Sequence, residues 1–266
     1  AIAVMSIAIA IPSVFGAPLA GAWADRRNRK HTMMATDALH GALTLVELLL
    51  IYTQNFQVWT LGLTVFLHGL FHTFHHSAFD TSYSSIVPKN QLARANGMMQ
   101  TTQSLSGILA PGAAAFIVSL PSLARQGVIG GGVGDWLAGL PNGVILALSI
   151  DALTFFVAAI VPYFLSIPSP HPTSTATGPA TKPGLWQDVK VGAVYIWQRR
   201  PLLWLLATFT IANFTGWPVS MLMPLLLKFN LAADWAANGY TFETATALMS
   251  TLGSIGGLAG GLLIST

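Results

Sequence analysis

Long apolar runs alternate with short polar connections along the chain. A spanning helix needs about 20 mostly apolar residues, and seven runs supply them: about 1–22, 33–53, 56–78, 97–120, 143–167, 202–227 and 242–265. A dense basic turn, Gly21-Ala-Trp-Ala-Asp25-Arg26-Arg27-Asn28-Arg29-Lys30, separates the first two. The connections after the first, third and fifth runs hold Arg26, Arg27, Arg29 and Lys30, then Lys89 and Arg94, then Lys182, Lys190, Arg199 and Arg200. The opposite connections hold only Arg125 and Lys228, so ten of the twelve basic residues lie on one side. Such a bias marks the cytoplasmic face, and it predicts cytoplasmic basic loops with Ala1 entering from outside.

The connection after the fifth run differs in kind. Residues 168–184 are rich in Pro, Ser and Thr, which predicts a flexible linker. From Leu185 to Arg200 the pattern turns amphipathic, with Trp186, Val189, Ala193 and Ile196 on one face and Asp188, Lys190 and Arg199 mostly off it. That predicts a helix lying at the membrane surface, ended by Pro201. The expected organisation is therefore a first half-bundle over 1–167, a cytoplasmic linker over 168–201 and the start of a second half-bundle over 202–266. An internal repeat supports the division: Ser13, Ala17 and Gly21 align with Gly253, Gly257 and Gly261, small residues at the spacing that lets membrane helices approach closely.

Composition agrees with a membrane protein. Charged residues make up 8% of the chain, against about 25% in soluble domains, and hydrophobic ones 53%; mean hydropathy is +0.62. The net charge of +3 follows the topology rather than forming a nucleic-acid surface. There is no cysteine, which excludes a disulfide, a thiolate metal site or a thiol nucleophile. HExxH, GxSxG and phosphate-loop patterns are absent, so neither an enzyme nor a cofactor is expected. Both ends lie inside apolar runs, which reads as a fragment of a longer chain.

The motifs resemble the major facilitator superfamily over essentially the whole length. Gly21-x-x-x-Asp25-Arg26-x-Asn28-Arg29-Lys30 is similar to its cytoplasmic motif between the second and third helices, with Asn28 replacing a glycine. Asn also tolerates a left-handed turn conformation. Gly97, Ser106, Ala110, Pro111, Ala114 and Ala115 resemble its fifth-helix antiporter motif, with several glycines replaced. Leu92-Ala-Arg-Ala-Asn96, Asp188-Val-Lys-Val-Gly192 through Arg200-Pro201 and Met223-Pro224 are similar to the branch of macrolide-efflux proteins and enterobactin exporters. The resemblance implies an all-α membrane bundle in which this chain supplies helices two to eight plus one amphipathic surface helix, the remaining helices belonging to the same full-length protein. It implies a cell-membrane transporter that moves a small molecule by alternating access between two halves, with Gly21, Asp25, Arg26, Arg29 and Lys30 as a gating motif. Asp25 would then pair with the opposite half when the cytoplasmic side closes.

Glu47 and Asp151 lie inside apolar helices, where an ionisable residue is a functional candidate by default. Either could carry a proton, the expected coupling ion; Glu47 could instead reach water at the outer surface, and Asp151 could instead hydrogen-bond a neighbouring helix. Asp37 and Asp80 lie nearer the cytoplasmic ends, where structural roles are expected. His68, His72, His75 and His76 stand in one run, and spacings of three and four place His68, His72 and a later His on one face. Pocket lining, proton relay and metal binding are all open readings for them. No Arg or Lys occurs between Lys30 and Lys89, so an arginine that helps couple protons in many antiporters of this superfamily is absent. Gln100, Gln103, Ser104 and Ser106 give the fifth helix of the family numbering a polar side. Phe66, Phe71, Phe74, Phe209, Phe214 and Trp217 could line an apolar pocket. The resemblance, rather than these residues, implies a secondary active transporter that exports bulky amphipathic compounds, driven by the proton gradient. The alternatives are a lysophospholipid or siderophore carrier of the same fold, and a non-transporting membrane scaffold.

Overall fold

The computed structural model describes residues 2–167, 184–238 and 242–265. The Pro-, Ser- and Thr-rich stretch 168–184, except Gly184, therefore lies outside the described residues. The described residues form ten α-helices, in order: α1 Ile2–Arg26, α2 Arg29–Tyr52, α3 Val58–Ile86, α4 Leu92–Arg125, α5 Gly131–Gly139, α6 Gly143–Ile160, α7 Leu185–Trp197, α8 Arg200–Phe229, α9 Ala232–Ala237 and α10 Phe242–Ser265. Two 3-10 turns, Lys89–Gln91 and Val161–Phe164, precede α4 and follow α6. No strand occurs among the described residues.

All seven apolar runs form helices, several longer than the runs themselves. Among the described residues, four stretches are long and apolar enough to cross a membrane: Arg29–Tyr52, Lys89–Arg125, Gly143–Phe164 and Ala245–Leu263. α3, at 29 residues, has ample length, but its four histidines dilute its apolar character. α5 and α9 fall in glycine-rich or polar connections that carry no periodic signal. The turn into α5 uses positive φ at Gly127 and Gly131, +76° and +79°, where a side chain would be strained.

Asn28 corrects one expectation. Its φ is −66° and its ψ 111°, and its side-chain oxygen accepts from the His31 backbone N–H as the N-cap of α2. The position therefore calls for a cap rather than for left-handed backbone.

The chain divides into two compact units. The first comprises 1–88 and 114–189; in it α1 packs along α3, and α2 packs on both α3 and α6. Its interior is made of small side chains: Ala20, Ala24, Thr44, Ala78 and Ala152 are at most 2% exposed, while Phe15, Leu49 and Trp59 point outward. This is the arrangement expected where lipid, not water, surrounds the bundle and close backbone approach drives association. Gly41 shows why: a Cβ there would stand 3.2 Å from the Phe156 ring and 3.3 Å from the Ala152 carbonyl of α6.

The second unit comprises 89–113 and 190–266. Within it the first half of α4 meets α10 through the same device. A Cβ on Gly257 would lie 2.5 Å from Ser104 Oγ, and one on Gly261 2.7 Å from Thr101 Oγ1. Of the three small residues predicted to pack on α10, Gly257 and Gly261 do so, whereas Gly253 faces open space. On α1 it is Gly16 that approaches α3, at Thr73, while Gly21 faces open space.

Candidate functional site: a polar seam between two membrane helices

The facing sides of α2 and α3 bring together polar groups that lie far apart in sequence. Asp37 Oδ1 pairs with His75 Nδ1 at 2.9 Å, and Thr36 Oγ1 lies 3.5 Å from the same nitrogen. One turn further along α2, His40 Nδ1 meets His68 Nδ1 at 2.7 Å. His68 turns its other nitrogen, Nε2, toward Glu47 Oε1 at 3.5 Å. Asp37 and His40 are each 6% exposed. From Asp37 to Glu47 the seam runs about 15 Å along the helix axis, at about 1.5 Å per residue.

Aromatic packing holds His40 in place. Its ring stacks on Phe155 of α6, with centroids 4.8 Å apart and planes 10° from parallel, and meets Phe71 of α3 edge-on at 5.6 Å. The histidine run on α3 thus divides. His68 and His75 enter the seam, while His72 and His76 contact each other edge to face and border a cavity of about 350 Å³ with Ser13, Ala17 and Asp80. His76 also pairs with Asp80 at 2.8 Å. Among the described residues no group of three or more His, Cys, Asp or Glu side chains is arranged to hold a metal ion.

The two candidate carboxylates occupy unlike surroundings. Glu47 is largely covered, with 13% of its side chain exposed. Asp151 is exposed on α6 and accepts a hydrogen bond from Thr44 Oγ1 on α2 at 3.2 Å, the helix-to-helix bond that was its alternative reading.

The basic motif ties several elements of the first unit together. Arg26 pairs with Asp188 of α7. Arg29 donates to the Ala24 and Thr81 carbonyls near the ends of α1 and α3, at 3.4 and 3.3 Å. Lys30 Nζ donates to the Tyr163 and Leu165 carbonyls after α6, at 2.7 and 3.2 Å. Cations at helix C-termini meet the negative end of the helix dipole, which favours this placement. Arg27 lies over the Trp23 ring at 5.1 Å. Asp25 itself is exposed, so it does not meet the burial that would demand a partner within this unit.

A cavity of about 500 Å³ opens among α1, α2 and α3, lined by Trp23, Arg27, His31, Leu39, Phe71 and Phe74 among others. Phe71 and Phe74 thus border a pocket, as expected, whereas Phe209 and Phe214 are exposed and the Trp217 side chain lies outside the described residues. In the second unit Gln100 Nε2 lies 3.5 Å from Ser104 Oγ, beside Gly257. Gln103, Ser106, Ala110 and Pro111 are exposed, and α4 continues unbroken through Pro111.

Glu47 and His68 stand out in the sequence, whereas His40 does not. The signal is present nonetheless: Asp37, His40 and Glu47 stand at i, i+3 and i+10, within a 100°-wide stripe of α2.

Apolar helices with small-residue cores and a buried ionisable seam define a multi-pass helical membrane protein. The sequence profile of the Major Facilitator Superfamily matches residues 1–266, and the chain belongs to that family. Macrolide efflux protein A of Enterococcus faecalis is 26% identical over 214 residues, covering 80% of this chain and 58% of that protein. The protein of the same name from Streptococcus pyogenes is also 26% identical, with 46% of its length covered. An uncharacterized MFS-type transporter of Bacillus subtilis (strain 168) is 22% identical over 247 residues, covering 90% of this chain and 52% of that protein. The chain spans about half the length of these curated relatives. No solved structure matches it.

Proposed function

We propose that the complete protein is a secondary active transporter of the cell membrane that exports bulky amphipathic small molecules by alternating access, driven by protons. Family membership supports the transporter reading, and the relatives named for macrolide efflux support the direction and the substrate class. The observation that carries proton coupling is Glu47, a carboxylate well covered inside an apolar helix with His68 beside it. An ionisable group at such a position costs on the order of 3 kcal/mol on insertion scales, and a proton-binding role explains its presence.

In this reading the basic loops are cytoplasmic, and 1–167 and 202–266 belong to the two halves joined by 168–201. Gly21, Asp25, Arg26, Arg29 and Lys30 act at the cytoplasmic gate, while Ser106, Ala110 and Pro111 give α4 its antiporter-like face. His72, Gln100 and Gln103 stand as substrate or proton candidates behind Glu47 and His68, while Asp151 serves the helix-to-helix bond with Thr44.

The test follows labelled macrolide in cells expressing the complete reading frame, with lysophospholipid and catecholate compounds alongside. Lower macrolide retention that a protonophore abolishes is the expected result. Unchanged retention of the macrolide, with the protein present in the membrane, would overturn the drug-export reading; movement of one of the other compounds would replace its substrate.

A further inference from the structure

We propose that His40, His68 and Glu47 form a proton relay, in which the glutamate takes up a proton and the two histidines pass it inward through their Nδ1–Nδ1 contact. The inference rests on the proton-driven reading above and assigns its path through this half of the molecule.

The histidine contact itself demands a proton. Two imidazole nitrogens 2.7 Å apart attract only if one carries hydrogen and the other offers a lone pair. A shared metal fits poorly, because two tetrahedral ligands at about 2.0–2.1 Å from zinc stand about 3.3 Å apart. The ring of His40 is clamped between Phe155 and Phe71, so the change open to it is in protonation rather than in position.

A proton reaching Glu47 from the outer side makes the carboxyl group neutral. Its O–H bond breaks as a new N–H bond forms at His68 Nε2, after a small rotation closes the 3.5 Å gap. His68, now the imidazolium, gives its Nδ1 proton to His40 Nδ1 across the 2.7 Å contact and is left neutral with hydrogen on Nε2. His40, now the cation, releases its Nε2 proton toward the cytoplasmic side and ends neutral with hydrogen on Nδ1. One proton has entered and one has left, Glu47 is a carboxylate again, and both rings end neutral with their tautomers exchanged. Resetting needs the two rings to return to their first tautomers before the next proton.

The groups around the relay suit this role. α3 contributes His72 and His75 to the field at His40, and α2 contributes Asp37. The carboxylate of α6, Asp151, is engaged by Thr44. α1 carries ionisable side chains only at its far end, Asp25 and Arg26, and the 3-10 turn after α6 brings only Tyr163, beside Lys30. Asp37–His75 lies one turn from His40 along α2, on the side of the basic loops.

His40→Asn separates relay from packing. A carboxamide N–H near the Nδ1 position keeps a donor for His68 but cannot pass a proton on. His40→Phe keeps the ring stacking and removes both nitrogens. In the full-length protein reconstituted in vesicles, His40→Asn should lose concentrative export driven by an imposed pH gradient while retaining exchange of labelled for unlabelled substrate. Export against a gradient at the wild-type level would overturn the relay and leave the proton-driven reading intact. Loss of protonophore-sensitive export in the wild type would instead overturn that reading. The relay is then judged by proton uptake of the purified protein on acidification: fewer protons bound by His40→Phe and Glu47→Gln supports it, and equal uptake sinks it. His68→Asn repeats the test if a His40 variant fails to fold, and a wild-type thermal midpoint qualifies each variant.

Discussion

Glu47 and Asp151 are both carboxylates on apolar helices, and their surroundings differ. Glu47 faces an imidazole and is well covered; Asp151 accepts from a hydroxyl and is exposed. Glu47→Gln removes the ionisable carboxyl group and, on the proposed function, should abolish gradient-driven export, measured as substrate retention against protonophore-treated wild type. Asp151→Asn keeps a carbonyl oxygen for Thr44 and should leave export near the wild-type level. Thr44→Val removes the bond altogether. Interhelical hydrogen bonds in membranes average about 0.6 kcal/mol, so a loss of that order in unfolding free energy is expected. Of these residues, the carboxylates and His68 were legible because each interrupts an apolar run. His40 was not, since a histidine gains its meaning from a partner 28 positions away.

At the scale of the helix, every apolar run declared itself, because length and hydropathy suffice for that. Ends did not. α3 continues to Ile86, eight residues past its apolar run, through Phe79-Asp80-Thr81-Ser82. Polar residues there fit a helix leaving the membrane but give no hydrophobic signal. Helix contacts were half legible: glycine spacing identified α10 as a close-packing helix, yet only tertiary structure selects Gly257 and Gly261 over Gly253. Gly257→Leu should therefore destabilise the full-length protein by about 1–3 kcal/mol through overpacking against Ser104, whereas Gly253→Leu should not. Thermal unfolding of the two variants in detergent checks the difference.

For the whole molecule, the basic turn is a junction. Three of its cations reach three places: α7, the ends of α1 and α3, and the segment after α6. Residues 1–266 hold no cysteine, so the double variant Arg26→Cys, Asp188→Cys adds the only thiols within them. It should cross-link under mild oxidation, and the cross-link should block export until reduced, if α7 parts from α1 during transport. Cross-linking with undiminished export would show that the two move as one. The histidine seam also bears on how such a protein is made. α3 carries its four histidines into a helix that is not among those apolar enough to cross alone, and two of the four find their partners on α2. Only five residues, 53–57, join the two helices. The translocon therefore meets α2 and α3 as a hairpin whose polar faces neutralise each other, and insertion of the third helix depends on the second being already at hand.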